Sequence, residues 1–340
     1  MRYLHVQVTT RMRFKSIFIL LSVATLAILP SCHKKDDDTD STPYLEGSIS
    51  FSIPSYVKVG EELTIAPKGG VNPQTGNIGY YWYSSWNAKR DTVKTETGSW
   101  SGSFNLTVPL ATGSYTVTVG AFATDFSGLS TVKNFTVVDP ALEGSLKGAG
   151  YQASSSIVDP RDENVYYVAQ VGDKLWMRNN LYYSGTGVSF ENSGAMDPIV
   201  GRLYSWNEAV KACPDGWRLP TDEEFASLTG TSGDILSSVA GSMMADATFN
   251  GKKLWTFWPD VKITNTTSFS ALPVGYAVDQ EGSVKFVGIN QYASFWTSDA
   301  DDDTALYRYI YVSKNDIFSG RGDKEFFRAS VRCVKENKAE

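Results

Sequence analysis

From residue 47 to 139 the apolar side chains fall on alternate positions in short runs. Ser48-Ile49-Ser50-Phe51-Ser52-Ile53 alternates strictly, and residues 57–65 repeat the pattern around the turn Gly60-Glu61. Further runs lie at 80–83, 104–108, 113–119 and 133–138, separated by Gly, Pro and Asn. A period of two puts every second side chain on one sheet face. Runs this short, with turn residues between them, predict an all-β sandwich of immunoglobulin-like layout. Trp82, inside Tyr80-Tyr81-Trp82-Tyr83, is the candidate core tryptophan. The stretch holds no cysteine, so packing alone must hold it together.

The pattern lapses over residues 140–155, where Gly144, Gly148 and Gly150 interrupt any period, and this reads as a linker. Residues 156–335 then mix α and β signals, ahead of a short tail at 336–340. Val165, Tyr167 and Ala169 alternate toward Gly172-Asp173, a hairpin turn before Lys174-Leu175-Trp176-Met177. Trp206-Asn207-Glu208-Ala209-Val210-Lys211 predicts a short helix running into Cys213. Pro214-Asp215-Gly216 predicts a turn, because proline fixes φ and glycine accepts a positive one. Thr221-Asp222-Glu223-Glu224 fits a capping box, in which hydroxyl and carboxylate satisfy free amides at a helix start. Phe225 and Leu228 would give that helix its buried face. Residues 234–245 predict another helix, with Ile235, Leu236, Val239, Met243 and Met244 on one stripe. The second domain is therefore expected to be α+β.

Residues 1–31 form a different kind of segment. Arg2, Arg11, Arg13 and Lys15 precede an apolar run at 17–29, and no acidic residue comes before Asp36. That is the layout of a signal peptide, too short and too abruptly ended for a membrane span. Leu29-Pro30-Ser31-Cys32 resembles a bacterial lipobox, which implies cleavage before Cys32 and acylation of Cys32 as a membrane anchor. Residues 32–46 then make an acidic tether. Its start, His33-Lys34-Lys35-Asp36-Asp37-Asp38, resembles the surface-export signal of Bacteroidota lipoproteins. The expected location is the outer membrane, lipid-anchored and facing outward.

Two further resemblances concern the folded parts. The Tyr-x-Trp strand at 80–82 and the Gly-x-Tyr-x-Val-x-Val strand at 113–119 resemble a PKD-type domain, which implies a spacer. In the second domain the ordered motifs are Trp176-Met177-Arg178-Asn179-Asn180-Leu181, Gly201-Arg202-Leu203-Tyr204-Ser205-Trp206, Cys213-Pro214-Asp215-Gly216-Trp217-Arg218-Leu219-Pro220-Thr221 and Ser330-Val331-Arg332-Cys333-Val334. With the blocks at 268–275 and 293–298, they resemble the FISUMP (Fibrobacter succinogenes major paralogous) domain. Arg178-Asn179, where that family favours Ala-Glu, and Phe225, where it favours Trp, are small departures. The resemblance pairs Cys213 with Cys333 in a disulfide. More distantly, the block at 218–225 is similar to formylglycine-generating-type proteins, which implies a variant of the C-type lectin fold. Fold alone does not carry function.

Composition narrows the chemistry. Cleavage of the leader would leave 27 of the 31 basic residues against 37 acidic ones, a net of −10. Nothing there favours nucleic acid, which needs a concentrated basic surface. The two histidines, His5 and His33, both precede the folded region. A Ser-His-Asp triad, a Cys-His pair and a His-ligated zinc are thereby excluded from it. Carboxylate chemistry, oxygen-ligated calcium, or binding without chemistry stay open.

Asp299, Asp301, Asp302 and Asp303 crowd a loop where the lectin resemblance would place calcium ligands, and clustered carboxylates suit that hard cation. The Glu-Pro-Asn and Trp-Asn-Asp motifs of sugar-binding C-type lectins are missing, so a solvated acidic turn is the better reading and no cofactor is expected. Tyr182, Tyr183, Trp255, Phe257 and Trp258 lie in loop-rich sequence and are the candidate ligand residues, since aromatic rings stack on pyranose faces. Trp176, Trp206, Trp217 and Trp296 read as core. The expected function is non-enzymatic binding of an extracellular glycan. A protein-binding adhesin or surface-assembly component is the alternative, and a carboxylate-dependent glycan hydrolase the weaker one.

Overall fold

The structure, a computed structural model, describes residues 42–340 other than 101, 152–154, 257–260 and 338–340. The leader, Cys32 and most of the tether lie outside the described residues, as do Phe257 and Trp258. No helix among the described residues is long and apolar enough to cross a membrane.

The alternation of the first half forms strands. Glu46–Ser50, Lys68–Ser84, Gly113–Phe122, Leu129–Val138 and Tyr56–Lys58 lie side by side in that order, and Asn87–Ser99 also pairs with Lys68–Ser84. A second sheet pairs Glu62–Ile65 with Phe104–Thr107. Leu63, Ile65 and Leu106 from the small sheet share one buried cluster with Val117, Val119, Phe135 and Val137 from the large one. Trp82 is half-buried and stacks on Phe104 at 4.3 Å.

Two details depart from the pattern. The turn at Gly60-Glu61 does not close a hairpin: Tyr56–Lys58 runs parallel to Leu129–Val138, and Glu62–Ile65 joins the other sheet. Gly60, at φ 70°, lets the chain step between them. The strand expected at 80–83 also begins much earlier, at Lys68. A Cβ on Gly69 would lie 2.1 Å from the Ser48 carbonyl oxygen, so this apparent turn residue instead permits close strand approach.

The segment read as a linker is packed. Leu146–Lys147 pairs with Thr248–Phe249, and Leu146, Ala149 and Tyr151 enter a buried cluster with Phe190, Met196, Ile199 and Leu203. The sandwich contributes to the same cluster through Val138 and the half-buried Tyr56. The Tyr56 amide donates to Ser193 Oγ at 3.2 Å, and Asn250 Nδ2 donates to the Val137 carbonyl at 3.1 Å. Residues 42–340 accordingly form one compact unit.

The second half, expected to be α+β, is mostly β with only short helices. Ser155–Val158, Val165–Val171, Lys174–Met177 and Val334–Glu336 make one sheet. Val188–Ser189, Arg202–Ser205, Phe327–Ala329, Tyr276–Gln280 and Ser283–Val287 make a second. Ile235–Leu236, Ile317–Asp323, Thr304–Tyr311 and Tyr292–Ala300 make a third. The hairpin turns at Gly172-Asp173 as expected.

Helices Trp206–Ala212 and Asp222–Ser227 each open on a complete capping box, Ser205 with Glu208 and Thr221 with Glu224. The helix expected over 234–245 does not form. Ile235–Leu236 pairs with the 317–323 strand and only Ala240–Met243 is helical. Ser238 sits at φ 60°, where its amide donates to Asp316 Oδ1 at 2.8 Å, and that left-handed turn breaks the helix.

Cys213 and Cys333 are joined, with Cα atoms 5.9 Å apart across a sequence separation of 120. The bridge ties the end of helix Trp206–Ala212 to the chain entering the last strand. Closing a loop of that length stabilises by about 4–5 kcal/mol in the loop-entropy account.

Candidate functional site

Of the aromatic residues expected at a site, Trp255 serves the interior. Trp255 is 1% exposed, belongs to a core cluster of the C-terminal half, and donates from Nε1 to the Ala271 carbonyl at 3.0 Å. It is a core residue and cannot stack on a ligand. The Tyr182 hydroxyl donates to the Val165 carbonyl at 3.1 Å and accepts from the Val165 amide at 3.2 Å. The Tyr183 ring covers Gly185 and lies 3.8 Å from the Arg161 guanidinium. Tyr182 and Tyr183 are half-buried. Trp296 is fully buried, whereas Trp206 and Trp217 are half-buried against the same cluster.

The acidic run spends its oxygens locally. Asp299 Oδ2 accepts from the Asp222 amide at 2.7 Å, just at the start of helix Asp222–Ser227. Asp301 accepts from the Thr304 amide at 2.7 Å and pairs with Arg321 at 2.6 Å. Those contacts hold the Asp301 carboxyl below the usual range, the Thr304 hydrogen bonds being the main cause. Lys324 Nζ donates to the Asp301 and Asp302 carbonyls. Asp302 and Asp303 are exposed. Among the described residues no three acids, cysteines or histidines converge on a metal position.

A different surface gathers aromatic rings. Along Thr304–Tyr311, Ala305, Tyr307, Tyr309 and Tyr311 alternate with Leu306, Arg308 and Ile310, so the three tyrosines share one face. Arg308 and Ile310 are buried on the other. The register places Tyr292 opposite Tyr311, Phe318 opposite Tyr309, and Gly320 opposite Tyr307. A Cβ on Gly320 would lie 2.6 Å from the Tyr307 ring, so the glycine lets that ring lean across its neighbour strand.

Rings from the second sheet complete the array. Phe327 stacks on Tyr307 at 4.6 Å and on Tyr276 at 5.1 Å. Tyr276 meets Tyr292 at 6.1 Å, Tyr292 meets Tyr309 at 6.1 Å, and Tyr309 meets Tyr307 at 5.9 Å. Five rings thus close a circuit. Tyr311 leans on Tyr292 at 4.7 Å and Phe318 on Tyr309 at 5.3 Å. All seven are half-buried. The hydroxyls of Tyr276, Tyr292, Tyr307, Tyr309 and Tyr311 have no hydrogen-bond partner among the described residues. Burial pushes the Tyr307 hydroxyl up to about 12 and raises that of Tyr292, so both stay neutral donors at physiological pH.

The arginines beside the rings are turned off this face, and the exposed Lys285, paired with Val278, stands at its edge. Arg308 points to its opposite side and is held by Asp222 at 2.5 Å. Arg328, next to Phe327, likewise turns away and pairs with Glu208 at 2.6 Å and Asp279 at 2.7 Å. What remains is a neutral patch of ring surface and phenol. These rings sit in regular strands, outside the loop-rich sequence that marks the expected ligand residues. The signal was present in Leu306-Tyr307-Arg308-Tyr309-Ile310-Tyr311, three tyrosines at period two.

No curated protein matches this chain. Among protein families, residues 169–335, which carry the disulfide and the tyrosine face, match the Fibrobacter succinogenes major domain.

Proposed function

We propose that this protein is a surface lipoprotein, anchored through Cys32 in the outer membrane, whose C-terminal domain binds an extracellular glycan without transforming it. In this reading the N-terminal half is an immunoglobulin/PKD-like spacer and the C-terminal half a variant of the C-type lectin fold. The match of residues 169–335 to the Fibrobacter succinogenes major domain supports a surface-associated role.

The observation that carries glycan binding is the tyrosine face, with five phenol hydroxyls uncommitted to other described residues. A tyrosine offers an apolar ring and a polar tip while fixing few torsions, which makes its contacts cheap in entropy. A patch of them suits a ligand that presents C–H surface and hydroxyls together. The nearby acids support binding without chemistry. Glu208 and Asp279 are tied to Arg328, and Asp222 to Arg308, all turned away from the rings. Adjacent carboxylates placed to flank one glycosidic bond are what hydrolysis needs.

An array of plant and microbial polysaccharides, probed with the mature protein, tests this reading. At least one should bind, and Tyr309→Ala should weaken it about thirtyfold, the loss typical of an aromatic anchor. Capture of a protein ligand in place of every glycan would favour the adhesin reading. Steady release of sugar product would replace binding with catalysis.

A further inference from the structure

A groove of about 790 Å³ opens where the last strand meets the turn after Cys213, walled by Leu175, Trp217, Arg218, Lys335, Glu336 and Asn337. That volume lies in the upper part of the roughly 300–1,000 Å³ of small-molecule sites, so more than one ring fits. Strand pairing brings the wall together. Leu175 stands opposite Lys335 in the ladder of Lys174–Met177 with Val334–Glu336, so their side chains share one sheet face. Met177, two residues on and therefore on the same face, is buried with Cys333 in the cluster that Trp217 packs against. Arg218 exchanges two backbone hydrogen bonds with Val334, at 2.8 and 3.0 Å, which holds it and Trp217 alongside the last strand. The Cys213–Cys333 bridge fastens the start of the same turn.

The wall combines an apolar floor with donors that the protein does not use. Trp217 and Leu175 are both half-buried. The indole N–H groups of Trp206, Trp255 and Trp296 donate to carbonyls at 2.9, 3.0 and 2.8 Å. That of Trp217 has no partner among the described residues and lies open to solvent. The charges beside it fall into pairs with one remainder. Arg218 holds Glu336 at 2.9 Å and, behind the wall, Glu224 at 2.7 Å. Lys174 reaches the same two carboxylates at 3.0 and 3.6 Å, so two cations balance two anions. Asp173, 3.5 Å from Lys174, is not on the wall. Lys335 is exposed and has no ion-pair partner among the described residues.

An aromatic floor, a neutral N–H and an unpaired ammonium in one groove call for a ligand with C–H surface, hydroxyl oxygens and an anion on the same ring. A sugar acid carries all three. We propose that this groove binds an oligosaccharide of uronic acids, one ring lying on Trp217 and Leu175 with its carboxylate at Lys335. The groove shares no residue with the tyrosine face and does not rest on the glycan reading of that face. The pairing that fixes Arg218, Glu224 and Glu336 keeps those side chains from closing on Lys335, so its ammonium is left for the ligand.

The test is calorimetric titration of the mature protein with trimers of galacturonate, glucuronate and mannuronate, each as the carboxylate and as its methyl ester. At least one carboxylate trimer should bind, and its ester about fivefold more weakly, the worth of one exposed ion pair. Lys335→Gln, at an exposed position, should leave the melting temperature in place and bring the carboxylate down to the affinity of its ester. Trp217→Ala should weaken both forms about tenfold or more, as loss of an aromatic anchor does, and Tyr309→Ala should change neither. Failure of all three carboxylates to bind would overturn the proposal. So would equal affinity for carboxylate and ester, or a preference for the carboxylate that Lys335→Gln leaves intact. Binding lost only with Tyr309→Ala would place the acid on the tyrosine face and remove this groove.

Discussion

Arg332 is the residue around which the C-terminal domain is arranged. It is fully buried, yet among the described residues no carboxylate pairs with it; its guanidinium donates to carbonyls instead. Nε reaches Asn180 Oδ1 at 2.6 Å, Nη1 the carbonyls of Met177, Arg178 and Phe269, and Nη2 the Ser270 carbonyl at 3.0 Å. Burial lowers its pKa to about 10, still leaving it charged at neutral pH, and the Phe269 ring lies 4.6 Å away. Five planar donors satisfy two loops at once, which one ammonium could not do. Arg332→Met should cost about 3–5 kcal/mol, because the abandoned acceptors stay buried. Urea unfolding of the two proteins measures it, and a difference under about 1 kcal/mol would refute this role. The sequence marks Arg332 only as part of a motif. Its geometry depends on 177–180 and 269–270 arriving from distant parts of the chain. Trp255 misled for a related reason: Lys252 and Lys253 beside it suggest a surface, but a domain with short strands fills its core from loops.

At the scale of elements, local signals held where the local interaction itself decides the outcome. Both capping boxes are made of groups three residues apart, so Thr221 and Glu224 can be read without the fold. Glu224 is also held by Arg218 at 2.7 Å, which with that hydrogen bond as the main cause brings its pKa down to about 2. The 234–245 stripe failed because pairing of Ile235 and Leu236 with Phe318 and Ile317, and the turn at Ser238, outweighed helical periodicity. The tyrosine face shows the converse case. Period two in 306–311 gives the strand and its two faces, but which face stays open follows only from the sheets behind it. Gly320 is a second non-local requirement. Gly320→Ala should displace the Tyr307 ring at a cost of about 1–3 kcal/mol and weaken glycan binding alongside. Thermal melting and titration on the same sample check both. A stable variant with unchanged affinity would mean that the position of Tyr307 is irrelevant.

For the whole molecule, most of the sandwich strands, though not Asn87–Ser99, were legible, as were the hairpin and the Cys213–Cys333 pair, the last through resemblance and not through spacing. The packing of the two halves was not. Residues 140–155 look like a spacer by their glycines, whereas Gly148 lies so close to the Asp246 carbonyl that a Cβ there would be 2.8 Å away. Close backbone approach and flexibility give the same composition, and only the partner segment separates them. The consequence is functional: Tyr56 and Val138 of the sandwich pack into the cluster that supports the C-terminal domain, so the tyrosine face is presented on a fixed mount. In the proposed function the hydroxyls on that face are kept for a ligand. The most direct measurement is the affinity of the mature protein carrying Tyr292→Phe, Tyr309→Phe and Tyr311→Phe together for the glycan selected on the array. The rings and their packing survive in that variant, and the lost hydroxyls have no partner among the described residues. The melting temperature should therefore hold while affinity falls by about tenfold or more. Unchanged affinity at an unchanged melting temperature would contradict the account.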